Sequence, residues 1–233
     1  MTDRTCVITG VGWGTGKAIA CKFANSGYSV AMLARRSERL EQLENEIENA
    51  YAYPCDVADA EALEETLKKI AKDLGHPCTV VHNAVSGAWG TFMEIEPSDL
   101  EKTFQVNTMA LLHLARFTLP KMMEVGNGSL ICTGNTAAHR GRAGYAAFAP
   151  TKAAQRILAQ SIAREAGPKG VHVAYITIDA VIDLRWTRKR YPDKSDDFFI
   201  KPDEIADEVF HVVNQPKGAW SFDVEIRPNA ENW

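Results

Sequence analysis

The sequence predicts a doubly wound α/β fold: a mostly parallel, seven-stranded sheet with helices on both faces, in a single domain spanning 1–233. Two observations carry this expectation. Strand-like and helix-like segments alternate along the whole chain, the pattern of parallel strands joined by crossover helices. Several strands are apolar on both faces, as in Ser29-Val30-Ala31-Met32-Leu33, which is how a strand covered from either side reads. A chain of 233 residues suits one such domain and its core.

The strands are expected around 5–9, 28–34, 51–54, 78–82, 129–133, 171–178 and 220–226. Ser37 is placed to cap a helix with the stripe Leu40, Leu43, Ile47 and Ala50. Asp59 precedes a second helix with Leu63, Leu67, Ile70 and Leu74 on one face and Gly75 as its stop. Ser98 and Glu101 read as a capping box ahead of a long helix running to about Met123. An Ala-rich helix is expected over about 145–166, ended by Gly167-Pro168, and a short one after Pro202 with Ile205, Ala206 and Val209 inward. The stretch 183–201, DLRWTRKRYPDKSDDFFIK, has no clean period. It follows a late strand, at the sheet end where ligands bind in such folds, and reads as a substrate-side loop or lid, or else as a solvated connection.

Composition narrows the function. A net charge of −4 gives no support to nucleic-acid or anionic-membrane binding. The basic cluster Arg185, Arg188, Lys189 and Arg190 is followed closely by Asp193, Asp196 and Asp197. That mixture suits a solvated loop or an anionic substrate better than nucleic acid. Cys6, Cys21, Cys55, Cys78 and Cys132 are odd in number and far apart, with no CxxC pair. They read as buried thiols of a reducing compartment, and no metal site is expected. No leader-like segment precedes the run Thr5-Cys6-Val7-Ile8, and no run approaches the ~18 apolar residues of a membrane span. A cytoplasmic protein is expected.

The strongest local signal is Thr9-Gly10-Val11-Gly12-Trp13-Gly14-Thr15-Gly16, between an expected strand and an expected helix. Glycine permits a sharp turn and lets backbone approach a pyrophosphate, while the helix N-terminus favours negative charge. A tight turn alone would need glycine too. The strand–turn–helix context favours a dinucleotide-binding, Rossmann-type unit.

The spacing of Thr9, Gly10, Gly14 and Gly16 resembles that of the short-chain dehydrogenase/reductase family, and the resemblance extends over essentially the whole chain. Asp56 in Cys55-Asp56-Val57 is similar to that family's adenine-contacting Asp. His82-Asn83-Ala84-Val85 resembles its segment after the fourth strand, with Asn83 as the structural Asn. Asn107 matches the Asn of the long helix, and Lys152 the catalytic Lys. The resemblance implies a nicotinamide dinucleotide held by Gly10, Gly12, Trp13, Gly14, Thr15, Gly16, Asp56, Val57, Asn83, Ala84, Lys152 and the backbone of Ile182. It also implies a carbonyl or alcohol substrate and a homodimer or homotetramer built through the two long helices. The second strand ends Leu33-Ala34-Arg35-Arg36. Ala34 stands where an acidic residue would bind the ribose of NAD(H), and Arg35 and Arg36 suit a 2′-phosphate. NADP(H) is expected over NAD(H).

Two departures stand out. The family's proton-donating Tyr, four residues before the Lys, is here Phe148, and its Ser, thirteen residues earlier, is Asn135. Phe148 cannot exchange a proton; Asn135 can still donate a hydrogen bond. Replacement donors are Tyr145, seven residues before Lys152, His139, or a water held between Lys152 and Asn107. Two functions stay open: an NADP(H)-dependent oxidoreductase with an altered proton donor, and an NADP(H)-binding sensor or partner subunit with little catalysis.

Overall fold

The computed structural model describes residues 4–230. The sheet is made of β1 (Thr5–Thr9), β2 (Ser29–Ala34), β3 (Ala50–Pro54), β4 (Thr79–His82), β5 (Gly128–Gly134), β6 (Val171–Ile178) and β9 (Asp223–Ile226). They lie in the order β3-β2-β1-β4-β5-β6-β9, and every pairing is parallel. The sheet turns back on itself between β1 and β4, and the loops that leave these strands open a crevice there. The helices are α1 (Thr15–Asn25), α2 (Ser37–Glu46), α3 (Ala60–Asp73), α4 (Pro97–Phe104), α5 (Ala110–Val125), α6 (Ala149–Ala166), α7 (Arg185–Arg190) and α8 (Pro202–Val213).

Side-chain alternation along the strands divides the core in two. Cys6, Ile8, Val30, Met32 and Ile131 pack with Ile19 and Phe23 of α1, Leu40 and Leu43 of α2, and Val209 of α8. Val7, Ala31, Leu33, Val80 and Cys132 pack with Leu63 and Leu67 of α3, Leu111 and Leu114 of α5, and Ala159 of α6. Burial of both faces is what the continuous apolar strands require. The five cysteines are free thiols. Among the described residues, no helix is long and apolar enough to cross a membrane.

Local differences from the sequence expectation have physical causes. Ser37 does not cap α2; Arg36 does, without a side-chain bond. That helix ends at Glu46, because Ile47 is extended and Asn49 is left-handed (φ 62°), so Ala50 opens β3 instead of closing the stripe. Asp59 does cap α3, accepting from the Ala62 amide at 3.0 Å. Ser98 lies inside α4: the helix starts at Pro97, whose fixed φ suits the first turn, and Glu96 precedes it. The long helix is interrupted by a π-helical turn, Gln105–Met109. The Ala-rich helix begins only at Ala149, which leaves Tyr145 in the preceding turn. The last strand begins at Asp223, three residues later than expected. The segment 183–201 is more ordered than its sequence suggests. It holds α7 and is tied to the domain by a parallel pair, β7 (Val181–Ile182) with β8 (Phe199–Ile200).

Candidate active site

The turn between β1 and α1 is built for close backbone approach. Gly10 has φ +72°, and a Cβ there would stand 2.5 Å from the Ala84 Cα. A Cβ on Gly16 would stand 2.7 Å from the Val11 Cα. Asn83 locks the turn: its Nδ2 donates to the Gly10 carbonyl at 3.1 Å, and its Oδ1 accepts from the Thr133 hydroxyl at 3.0 Å. The Ala84 amide donates to the Thr9 hydroxyl oxygen at 3.1 Å. The first turn of α1 holds no acidic residue, so no carboxylate of that turn offsets the positive end of the helix dipole.

This turn forms one wall of a cleft of about 520 Å³. Gly10, Gly12, Gly14, Thr15, Gly16, Arg35, Arg36, Asp56, Val57, Asn83, Ala84 and Ile182 all line it. Asp56 folds one carboxylate oxygen onto the Ala58 amide at 3.0 Å, which fixes the turn after β3. Trp13 stands outside the cleft, half exposed, and borders an adjoining basic pocket with Arg35, Arg36 and Arg39. Arg39 lines both spaces. Sequence reading missed it; its spacing of three from Arg36, across the first turn of α2, was the available signal. Among the described residues none of these three guanidiniums forms an ion pair with a carboxylate. The far wall comes from Leu184, which lies over Gly14, and from Trp186.

Lys152 is buried (1% exposed) on the first turns of α6. Its Nζ donates to the Thr133 carbonyl at 3.3 Å and to Gln155 Oε1. Burial pushes its pKa down to about 8, with the Cys132 thiol opposing. Asn107 sits in the π-helical turn with its side chain fully engaged. Its Oδ1 accepts from the Ser86 amide at 3.0 Å, while Nδ2 donates to the Ser86 carbonyl at 2.9 Å and the Thr151 hydroxyl at 2.8 Å. The Asn107 carbonyl accepts from Gln155 Nε2 at 2.6 Å. A side chain, that of Gln155, therefore links Lys152 to the Asn107 carbonyl. Gln155 escaped the sequence reading although Lys152 and Gln155, three apart on a helix, share a face.

Asn135 spends its Oδ1 capping the turn Thr136–Ala138, accepting from the Ala137 amide at 3.1 Å. Its amide N–H groups remain as donors. Phe148 is buried beneath Trp89 (ring centroids 4.7 Å apart), and Trp89 meets Tyr145 edge-on at 4.8 Å. Tyr145 and His139 line a second, apolar cavity of about 580 Å³ with Phe92, Arg140 and Arg142. His139 Nε2 is also 2.9 Å from the Thr177 hydroxyl. The structure thus gathers the expected cofactor residues into one cleft, Trp13 and Lys152 excepted. It gathers Lys152 and Asn107 into a buried network beside it; among the described residues no hydrogen bond joins the Tyr145 or His139 side chain to that network, and both line the second cavity. Of the basic cluster on α7, Arg188 is committed to Asp183 (2.6 Å) and Asp196 (2.6 Å) and lies 4.1 Å over the Phe199 ring.

Comparison with known proteins agrees with this architecture. The family model for short chain dehydrogenases matches residues 4–188. An uncharacterised oxidoreductase of Staphylococcus aureus strain USA300 is 26% identical over 230 residues, covering 98% of both chains. Among solved structures, an alcohol dehydrogenase from the archaeon Thermococcus sibiricus, complexed with 5-hydroxy-NADP, is 27% identical, with TM-score 0.84 and 98% of each chain covered. A metagenomic short-chain oxidoreductase in complex with NADP is also 27% identical, with TM-score 0.84 and 97% of each chain covered. The chain belongs to the short-chain dehydrogenase family of oxidoreductases.

Proposed function

We propose that this protein is an NADP(H)-dependent oxidoreductase acting on a carbonyl or alcohol with an altered proton donor. The observation that carries the reading is the group of three guanidiniums, Arg35, Arg36 and Arg39, beside Gly12 and at the end of β2, which form no ion pair with a carboxylate among the described residues. Guanidinium forks match a phosphate bidentately, and an acidic residue at Ala34 would repel one. The glycine turn supports a dinucleotide reading: Gly10 and Gly16 let it pack backbone against Ala84 and Val11, which sets the turn as one wall of the cleft. Gly10, Gly14 and Gly16 would hold the pyrophosphate, Asp56 and Val57 the adenine, and Lys152 the nicotinamide ribose. When bound, the nicotinamide exchanges a hydride with the substrate carbon. NADP-bound relatives at 27% identity support the same cofactor.

The chain's own contribution is positioning and polarisation. The Asn135 amide is a hydrogen-bond donor for a developing oxyanion. Phe148 contributes a buried ring packed against Trp89 and Tyr145 and no acidic proton. Tyr145 and His139, facing the neighbouring apolar cavity, are the donors within the same loop. The segment 183–201 serves as the substrate-side lid, with Arg185, Lys189 and Arg190 available to an anionic substrate because Arg188 is engaged. A homodimer or homotetramer through α5 and α6 belongs to this reading.

A second reading, an NADP(H)-binding sensor or partner subunit, is favoured by one observation. The ring at the family's Tyr position carries no hydroxyl and is packed under Trp89. Titrating NADPH and NADH by fluorescence, then assaying a broad panel of carbonyls and alcohols, separates the two. Tighter binding of NADPH with turnover of at least one substrate is expected. Tighter NADH binding would refute the cofactor assignment. Binding without turnover across the panel would leave the sensor reading.

A further inference from the structure

The buried network under the cleft is organised by one amide. An ammonium only donates hydrogen bonds and a main-chain carbonyl only accepts them. The Lys152 Nζ must therefore face Gln155 Oε1, and the Asn107 carbonyl must face Gln155 Nε2, as the contacts show. The amide has no other orientation that satisfies both neighbours. Gln155 is itself fully buried, and the Tyr175 hydroxyl approaches its Oε1 at 3.5 Å. Tyr175 reaches this place because residue 134 is glycine: a Cβ there would overlap the phenol oxygen.

We propose that Gln155 is the positioning residue of Lys152: a single amide ties the lysine ammonium to the Asn107 carbonyl, fixing where the lysine stands and how readily it carries charge. The proposal rests on the reading of Lys152 as a cofactor-facing residue only for its functional consequence; the clamp itself is in the contacts. Groups facing Lys152 from the packed elements are Cys132 of β5, His82 of β4 and Tyr175 of β6. Burial holds the Cys132 thiol up at about 12 and, with Lys152 as a second cause, holds His82 down at about 4. Around neutral pH none of these carries the negative charge that would stabilise an ammonium. Among the described residues, the acceptors that remain for Lys152 are the Thr133 carbonyl and Gln155 Oε1. Losing one of two acceptors disfavours the charged form.

The test is the titration of Lys152 in cofactor-free protein carrying labelled lysine, followed by NMR and assigned by the signal lost in Lys152→Met. Gln155→Leu is expected to lower the Lys152 midpoint by about one pH unit, and Gln155→Glu to raise it by about one unit or more. In the unaltered protein, the Gln155 side-chain amide signals should move with the same midpoint as Lys152. That arm needs no variant to fold. An unchanged Lys152 midpoint in the folded variants, or Gln155 signals indifferent to it, overturns the proposal. A fall in melting temperature without a shifted midpoint marks a packing role and overturns it equally. NADPH affinity against pH, measured on the same samples, keeps the two readings apart. Shifted midpoints with an unshifted affinity profile would remove Lys152 from the cofactor site and leave the clamp standing.

Discussion

Arg39 and Gln155 show what a sequence conceals at a single position. The Gly-rich turn was legible because its signal is local: glycines at fixed spacing between a strand and a helix. Arg39 enters the cleft only because α2 begins at Ser37 and brings the third residue after Arg36 round to the same side. Gln155 matters only because the π-helical turn presents the Asn107 carbonyl to it. A π turn adds a residue to one helical turn and leaves no periodic mark in a polar sequence. Arg39→Ala should weaken NADPH by about tenfold, the lower range of a charge-assisted hydrogen bond at a partly exposed site, and leave NADH within about twofold. Calorimetric titration of both cofactors measures it. Equal losses for the two would show that Arg39 does not meet the 2′-phosphate.

The start of α6 decides which side chains share a helical face with Lys152. An early start would have put Tyr145 on the face of Lys152. The actual start at Ala149, followed at once by Pro150, leaves Tyr145 in a turn and makes Phe148 the residue ahead of the helix. Apolar periodicity could not mark that boundary, because the alanines run on either side of it. The same limit explains the misplaced starts of α2 and α4, where Ser37 and Ser98 resemble caps but the chain enters the helix earlier. The β7–β8 pair was unreadable for another reason: two-residue strands are too short to show alternation. The geometry at Phe148 yields a discriminating experiment. Phe148→Tyr adds a hydroxyl to a ring already packed by Trp89 and Tyr145. If the missing acid is what limits turnover, the variant should gain ~10²-fold or more in kcat, the low end of general acid catalysis. Steady-state kinetics on any accepted carbonyl would check it. A change within about twofold would mean the site works through another donor, and Tyr145→Phe and His139→Ala would then identify it.

Across the whole molecule, the parallel sheet was legible in nearly every strand, because burial on both faces writes itself into continuous apolar runs. What the sequence does not display is how many polar groups the fold draws in beneath the cleft. His82, at the end of β4, is fully buried; its Nδ1 lies 2.9 Å from the Thr9 hydroxyl, and its Nε2 makes no well-formed hydrogen bond among the described residues. Burial first, and Lys152 second, lower its pKa from 6.5 to about 4. Lys152 is likewise lowered from 10.5 to about 8. In both windows the unfolded chain binds more protons than the folded one, so stability rises with pH through each. Below pH 6.5 the His82 contribution is lost progressively as the pH falls towards 4, on the order of 3 kcal/mol in all. Between about pH 8 and 10.5 stability should rise again as the unfolded lysine keeps its proton and the folded one does not. Urea denaturation at pH 4.5, 6.5, 8 and 10 should show both slopes. Carboxylates held low by their partners, such as Asp183 against Arg188, add to the acid loss, so the wild-type curve alone cannot assign it. His82→Asn removes the titrating ring while keeping a polar side chain at the strand end. The drop from pH 6.5 to 4.5 should then shrink by about half or more. An equal drop in the variant would place the acid sensitivity elsewhere in the molecule.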